Sequence, residues 1–433
     1  MEQSFKNRYA MAFVLITVMI NSIGFGIIIP VLPDLVRELK PETPEHELGR
    51  YMAGMTFVFA IMQFVFMPII GALSDKYGRR PIMLLSLFGL SLDYFLLAFA
   101  PFIFLLFVAR AISGALGATF STANAYIADI SPPETRAQNF ALVGAAFGVG
   151  FMIGPAIGGI LGDPEKFLGS IANPRLPFFA AGVLCLLNFT LGFFVLPETH
   201  KLKNRREFKW SRANPIGALN SLRNISNAKG LIFVLFLLAA AHTVYPTTYT
   251  ISTQVKLGWT SGDVGMSLLA FGIASFIVQA GIIRVVLPRT GLFWGGTIGM
   301  IAAIIAYAGM GFANAGWVIY FMGIFAALAG FYNPALTNMM SSRVSESEQG
   351  ELQGAIGAAQ GLALIAGPLI MGPAFEIFAK EGTSYYQPGA PFLAAALLSV
   401  LSIMTFFIVT TKEDRTRILP TAASVPPSAE LGE

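Results

Sequence analysis

Twelve apolar runs, each long enough to cross a bilayer, constrain this chain more than any other feature. A transmembrane helix needs about 20 apolar residues. Runs of that kind lie near 9–36, 51–74, 81–100, 102–129, 138–162, 175–196, 229–250, 261–287, 292–313, 315–341, 350–378 and 389–411. Hydrophobic residues make up 55% of the chain and charged residues 12%, a balance unlike that of a soluble domain. The sequence therefore predicts an all-α membrane protein with twelve transmembrane helices.

An even number of helices places both termini on one side of the membrane. Basic residues concentrate in the loops that share this side, around 76–80 and 201–229 and after residue 411, and the positive-inside rule then predicts a cytoplasmic location for both termini. We expect a bacterial-type inner membrane. The formal charge of +4 is scattered among apolar runs, so it does not indicate nucleic-acid binding. The Pro- and Ala-rich tail 412–433 is predicted to be disordered.

One segment occurs twice. Residues 144–159 read GAAFGVGFMIGPAIGG, and residues 357–372, at an offset of 213 (357 − 144), read GAAQGLALIAGPLIMG. This register predicts two homologous six-helix halves, 1–197 and 229–411, joined by a cytoplasmic linker, 198–228. Closely spaced glycines let helices approach each other, and a proline weakens helical hydrogen bonding. The first copy is thus a candidate helix contact that can bend, with generic small-residue packing as the alternative; its key residues are Gly144, Gly148, Gly154, Pro155, Gly158 and Gly159.

The loop between the second and third helices reads GALSDKYGRRP, residues 71–81. Gly78 permits a tight turn with positive φ. Arg79 and Arg80 offer forked donors to a nearby carboxylate, for which Asp129 at the end of the fourth helix is the expected partner. Together with Gly71 and Asp75 these residues form a candidate cytoplasmic gate. The alternative is a basic loop that only sets topology.

Two ionisable residues are predicted to lie inside the bilayer, Asp93 in the third helix and Arg110 in the fourth. The turn near Pro101 is almost equidistant from both, so each lies about 12–14 Å below the outer surface at 1.5 Å per residue. We expect them to pair and to be candidates for proton coupling, because intramembrane ionisable groups are functional by default. Alternatively, the pair only locks two helices together.

The seventh helix places His242, Tyr245 and Tyr249 on one face, next to the helix-breaking Pro246. This face is a candidate cavity lining, and His242 is a second candidate for proton coupling; the alternative is a structural histidine. Other candidates for the substrate cavity are interior polar or aromatic residues, with simple interhelical hydrogen bonding as the alternative for Asn21. They are Asn21, Phe25, Asn124, Gln279 and Asn333.

These motifs resemble a known family. GALSDKYGRRP matches G-x-x-x-D-K/R-x-G-R-K/R, which resembles the signature loop of the major facilitator superfamily, and the glycine–proline segment of the fifth helix resembles the superfamily's antiporter signature. With RAISGALGA and SLDYFLLAF, the chain resembles the tetracycline-efflux branch of drug:proton antiporters. The resemblance implies the major facilitator fold and a latch in which Asp75 reaches residues 349–351.

The chain departs from that branch at three positions. The resemblance implies an acidic residue in the first helix, a histidine in the eighth and a carboxylate in the ninth. This chain has Asn21, Ser275 and the apolar stretch 301–306 there. Coupling would then depend on Asp93 or His242.

We therefore expect a secondary transporter that exports an amphipathic organic compound in exchange for protons by alternating access. A uniporter or importer of a small metabolite is the alternative, and a non-transporting receptor or scaffold is a third reading. The sequence shows no nucleophile–base pair or phosphate-binding loop, so an enzyme is not expected. A single cysteine, Cys185, gives no Cys/His metal site. We expect no cofactor or metal, with substrate, protons and lipid as the partners of a monomer.

Overall fold

The structure is a computed structural model. It describes residues 2–117, 119–200, 205–208, 210, 214, 217, 225, 227–411 and 414–415, without the side chains of 2–8, 119, 120, 133 and 137. Within these ranges the chain is helical and contains no strand. The predicted linker 198–228 and tail 412–433 fall largely outside the described residues.

Eleven helical stretches of the described residues are long and apolar enough to cross a membrane. The longest, Ser261–Phe312, has 52 residues and is broken at Gly291, where the backbone is non-helical. We count the parts before and after Gly291 as spans 8 and 9, which gives twelve spans, as predicted.

The twelve spans are numbered in chain order. Spans 1 to 6 are Glu2–Leu39, Leu48–Tyr77, Arg79–Ala98, Ile103–Leu116 continued by Thr119–Ile130, Pro133–Gly162 and Leu176–Val195. Span 7 consists of Lys229–His242, Val244–Thr247 and Tyr249–Leu257; spans 8 and 9 consist of Ser261–Ile277, the π-helical Val278–Ile282 and Ile283–Phe312. Spans 10 to 12 are Gly316–Ala329 continued by Tyr332–Ser341, Gln349–Phe378 and Ala390–Val409.

Two glycines make equivalent turns in the two halves. Gly78 separates spans 2 and 3 with φ 111° and ψ 160°, and Gly291, 213 residues later, separates spans 8 and 9 with φ 77° and ψ 169°. Side chains are essentially excluded from this part of φ/ψ space, so both turns need glycine. The predicted turn at Gly78 is confirmed.

The halves meet through glycine contacts related by the same offset. A Cβ on Gly159 in span 5 would lie 2.6 Å from the Ser261 carbonyl oxygen at the start of span 8. A Cβ on Gly372 in span 11 would lie 3.0 Å from the Gly49 carbonyl oxygen at the start of span 2. Backbones touch at both places, which is what small residues allow in membrane helices.

These contacts loosen along the spans. We call the face where span 1 begins, span 12 ends and the turn at Gly78 lies the terminal face. The other face is called the opposite face. Near mid-span, Gly361 approaches only the ring of Phe64. Closer to the terminal face, a Cβ on Gly144, Gly148 or Gly357 would meet nothing within 4 Å. The halves therefore close at the opposite face and diverge toward the terminal face.

Candidate functional site

A buried ion pair lies inside the first half. Arg110 Nη2 donates to Asp93 Oδ2 at 3.1 Å; Asp93 is fully buried, and Arg110 is 4% exposed. The predicted pairing is confirmed. Arg110 makes this one hydrogen bond to Asp93, since Asp93 Oδ1 and Arg110 Nε have no hydrogen-bond partner among the described residues, and the Ser113 side chain is a second polar neighbour of the carboxylate. A buried carboxylate with one free oxygen is costly to keep ionised, which makes it a chemically reasonable proton acceptor.

Arg110 also borders the space between the halves. It lines a cavity of about 50 Å³ together with residues of spans 1, 2 and 7. Its aromatic wall includes Phe25, whose ring lies 5.6 Å from that of Phe59, and Tyr245 from the other half. Two predicted cavity residues and the predicted cation thus lie around one space. Asp93 does not line this cavity itself, but it is paired with Arg110, which does.

Span 7 is interrupted beside this cavity. The helix Lys229–His242 gives way to the four-residue helix Val244–Thr247, and Thr248 has φ −130° and ψ −6° before the helix resumes. Pro246 lies within this interruption. Proline lacks the N–H needed for a continuous helix, so it contributes to the break. The predicted face is present, with the rings of His242 and Tyr245 5.1 Å apart and those of Tyr245 and Tyr249 5.6 Å apart.

The members of this face differ in exposure. His242 is exposed, whereas Tyr245 and Tyr249 are 5% and 2% exposed. The Tyr249 hydroxyl is paired with that of Ser267 in span 8 at 2.8 Å. His242 therefore has an accessible side chain, but it does not line the 50 Å³ cavity, and its role as a cavity residue stays a prediction.

The remaining predicted cavity residues are dispersed. Asn21 is half-buried, and its Oδ1 has no hydrogen-bond partner among the described residues. The alternative for Asn21, a simple interhelical hydrogen bond, therefore has no support at this oxygen atom. Asn124 is half-buried, while Gln279 and Asn333 are exposed. None of the four borders the 50 Å³ cavity, and their contact with substrate stays a prediction.

The terminal-face turn forms a polar cluster within one half. Arg79 pairs with Asp75 at 2.6 Å and, through Nε, with Asp129 at 3.4 Å. The expected Arg79–Asp129 partnership is confirmed. The prediction that Arg80 also pairs with Asp129 is wrong, because Arg80 Nη2 donates to the Phe193 carbonyl oxygen in span 6 at 2.6 Å. The glycine at 71 lies open in this conformation, and contact between Asp75 and residues 349–351 stays a prediction.

The glycine–proline segment of span 5 is only partly a contact surface. Gly154 and Gly158 pack against the backbone of span 1 near Ile23 and Ile27, and Gly159 packs against span 8. Pro155 lies inside the helix and contacts Gly26. The expectation fails for Gly144 and Gly148, which lie in open space because the halves diverge there.

Polar contacts across the opposite face were missed by the sequence analysis. Arg37 and Asp34 of span 1 bond the Gln254 amide of span 7 at 2.7 and 3.0 Å. Arg50 pairs with Glu376 at 2.8 Å, and Lys166 pairs with Asp263. Glu45, in the loop between spans 1 and 2, also pairs with Arg37 at 2.7 Å.

One signal in the sequence could have found part of this network. Arg50 and Asp263 are 213 residues apart, the repeat offset, and each is paired with a charge from the other half. Equivalent positions with opposite charges, each at the start of an equivalent span, indicate two related junctions between the halves.

Comparison with known proteins agrees with this architecture. Residues 14–368 match the family described as Major Facilitator Superfamily. The class C tetracycline resistance protein of Escherichia coli is 35% identical over 366 residues, covering 84% of this chain and 89% of the relative. The class G protein of Vibrio anguillarum is 35% identical over 362 residues, with the same coverage.

Solved structures share the fold at lower identity. A bacterial homolog of the human lysosomal transporter Spinster, inward-facing and unoccupied, aligns with TM-score 0.74 and 15% identity over 93% of this chain and 97% of that chain. The nucleoside transporter NupG aligns with TM-score 0.70 and 14% identity, over 92% and 98%. With twelve spans and the family match over most of its length, the chain belongs to the major facilitator superfamily and is a secondary transporter resembling the tetracycline-resistance proteins.

Proposed function

We propose that this protein exports an amphipathic organic compound or drug in exchange for protons. The observation that carries the proposal is the buried Asp93–Arg110 pair, whose cation borders the cavity between the halves. Protonation of Asp93 would release Arg110 from its hydrogen bond and change the charge presented to the cavity. A ligand there would then bind the protonated and ionised forms differently, which is the condition for coupling.

The identity to tetracycline resistance proteins supports drug export by analogy. The lining of the cavity suits an amphipathic substrate, because rings such as Phe25 and Phe59 lie around one guanidinium. At about 50 Å³ the space is smaller than one benzene ring needs, so the substrate would bind only after the halves move further apart. His242 is a second candidate for proton coupling. This chain has Ser275 and the apolar stretch 301–306 where the tetracycline-efflux branch has a histidine and a carboxylate. We therefore propose only the chemical class of the exported compound and do not assign tetracycline as the substrate.

The direction and setting belong to the same proposal. The basic terminal face would be cytoplasmic, with both termini there, in a bacterial-type inner membrane. The conformation described above would then be inward-facing, since the halves are closed at the opposite face. The functional unit would be a monomer with halves 1–197 and 229–411, which rock around the cavity.

The experiment is transport by inside-out membrane vesicles under an imposed proton gradient. We expect a compound panel that includes tetracyclines to reveal gradient-driven uptake by the wild type. Asp93→Asn should reduce that uptake at least tenfold. Asp414→Asn makes the same chemical change outside the spans and should leave uptake near the wild-type rate. Undiminished gradient-driven uptake by Asp93→Asn would refute the assigned role.

A uniporter or importer is the second candidate. It is favoured by one observation: among the described residues, the buried carboxylates are Asp93 and Asp163 alone, and Asp163 lies just beyond span 5. Reversing the proton gradient distinguishes the two. An antiporter moves substrate against the proton flux in both orientations of the gradient, a proton-coupled importer moves it with the proton flux, and a uniporter does not respond to the gradient.

A further inference from the structure

We propose that the second half contains a separate binding site, open to the bilayer between spans 8 and 10, for a neutral ring-bearing ligand dissolved in lipid. The site is a cavity of about 160 Å³ between spans 7, 8, 9 and 10. Its inner wall is formed by Tyr245, Tyr249 and Met310, all at most 5% exposed. It requires no assumption about the substrate that is transported.

The mouth of the cavity faces lipid. Tyr320 and Ile324 of span 10 line the cavity and are 43% and 51% exposed. They share a helix face with Trp317 and Phe321, at spacings of three and four residues, which are 70% and 49% exposed. These residues lie in the first turns of span 10, and an exposed face of aromatic and aliphatic side chains there contacts the bilayer near its interface, so a ligand reaches this mouth from the lipid.

The size and lining define the ligand class. An apolar cavity of about 150 Å³ accommodates a benzene ring, so 160 Å³ admits one substituted ring. The Phe271 ring of span 8 stacks on Tyr245 at 5.4 Å with an interplanar angle of 12°, and offset rings favour aromatic neighbours. Since no charged side chain lines this cavity, a charged ligand would lose its hydration without compensation.

One polar group in the inner wall is available to a ligand. The Tyr249 hydroxyl is already paired with Ser267 at 2.8 Å. The Tyr245 hydroxyl donates to the Met310 sulfur at 3.9 Å, and a thioether is a weak acceptor. A ligand with an oxygen or nitrogen acceptor on its ring would offer Tyr245 a stronger bond. The preferred ligand is therefore an uncharged ring with one acceptor.

Tyr245 also connects this site to the centre of the protein. It lines both the 160 Å³ cavity and the 50 Å³ cavity next to Arg110. It is carried by the four-residue helix Val244–Thr247, with interruptions on both sides, and its ring packs against those of Phe271 and Tyr307. A ligand in the lipid-facing site therefore acts on a ring that also borders the central cavity.

Binding can be measured with bromobenzene and 3-bromopyridine, because bromine quenches indole fluorescence over short distances without requiring direct contact. Trp259 is a suitable reporter, since its ring lies 6.0 Å from that of Tyr320. The other three tryptophans, Trp210, Trp294 and Trp317, are replaced by Phe in purified protein in nanodiscs. We expect saturable quenching above the linear quenching that arises from probe dissolved in lipid.

Gly323→Leu tests the location. A Cβ at Gly323 would meet nothing within 4 Å although the residue lines the cavity, so leucine can fill the cavity without displacing a neighbour. It should abolish saturable quenching. Gly281→Leu adds the same atoms at another open position, away from the cavity, and should preserve it. Purely linear quenching in the parent protein, or equal loss in both variants, would overturn the site.

Tyr245→Phe tests the chemistry. Removal of the hydroxyl should weaken 3-bromopyridine binding about fivefold, the effect of one neutral hydrogen bond, and leave bromobenzene binding within twofold. Equal effects on both probes would contradict the role of Tyr245 as donor. These measurements involve no transport, so their failure is distinct from failure of proton-coupled export.

Discussion

The carboxylate of Asp93 is buried with a single hydrogen bond from Arg110, at 3.1 Å. Taking one charge out of water costs several kcal/mol even in a pair, so such a pair is poor evidence for stability alone. The arrangement can serve as a helix lock or as a proton carrier. The two roles can be distinguished by measuring the free energy of unfolding and the transport rate of variants in which Asp93 and Arg110 are changed singly and together.

Arg110→Ala leaves the Asp93 carboxylate buried without its partner. We expect the free energy of unfolding to fall by about 3–5 kcal/mol, measured by denaturant titration in detergent. Asp93→Asn combined with Arg110→Gln removes both charges and should recover at least half of that loss.

Transport by the double variant decides between the roles. A carrier role predicts that gradient-driven transport stays lost although stability returns. Transport that recovers together with stability would show that the pair only holds spans 3 and 4 together.

The turn glycine at position 78 should tolerate no side chain. Its φ of 111° and ψ of 160° lie in a region that costs other residues about 1–3 kcal/mol, and a Cβ would also meet the Glu198 carboxylate. We expect Gly78→Ala to lower the unfolding free energy by that amount in the same titration. Gly291→Ala should behave alike, because Gly291 has equivalent dihedral angles.

A helical glycine provides the control. Gly350→Ala in span 11, where a Cβ meets nothing within 4 Å, should be neutral or slightly stabilising. If Gly78→Ala were as well tolerated as Gly350→Ala, the account of the turn would be wrong.

Pairing of individual residues was predictable only where geometry left one answer. Asp93 and Arg110 are at equal depth on adjacent antiparallel spans, so their contact followed from helix rise. Arg79 and Arg80 are consecutive at a helix start, and their side chains diverge by about 100°. The sequence does not say which one turns toward Asp129, and the structure assigns Arg79 to it and Arg80 to Phe193.

At the scale of elements, the glycine contacts between spans 5 and 8 set how closely the halves approach. Gly159→Val would push its branched side chain into the Ser261 carbonyl and should separate the halves at the opposite face. A cysteine in place of Thr250, which is 4% exposed near that face, reports the change in a Cys185→Ser background. We expect its labelling by a membrane-impermeant maleimide to accelerate at least fivefold.

Gly144→Val is the matched control for that substitution. It lies in the same span but in open space, so labelling should remain at the parent rate. Equal acceleration by both variants would mean that the Gly159 contact does not hold the opposite face closed.

The spans themselves and the turns at Gly78 and Gly291 could be predicted from the sequence, because apolar length and glycine placement are local signals. The divergence around Gly144 and Gly148 could not. The same glycines can pack or lie open depending on how the halves are tilted, and tilt is set by contacts between residues hundreds of positions apart.

At the scale of the whole molecule, the opposite face is held by several modest contacts. Arg50–Glu376 and Lys166–Asp263 are partly exposed, and such pairs contribute about 0–1 kcal/mol each. Hydrogen bonds to Gln254 and between Thr250 and the Ile29 carbonyl add to them. A closure built this way can open when ligand or proton binding changes the balance by a few kcal/mol.

The central claim is that the halves rock as units and that the protonation of Asp93 biases their position. Spin-label distances in nanodiscs test it directly, with one pair across the terminal face at Thr135 and Glu346 and one across the opposite face at Glu42 and Glu381. All four positions are exposed. Between pH 8 and pH 5 we predict that one distance lengthens while the other shortens, and that Asp93→Asn removes the pH response. Distances that stay fixed, change in the same direction, or respond to pH unchanged in Asp93→Asn would contradict the account.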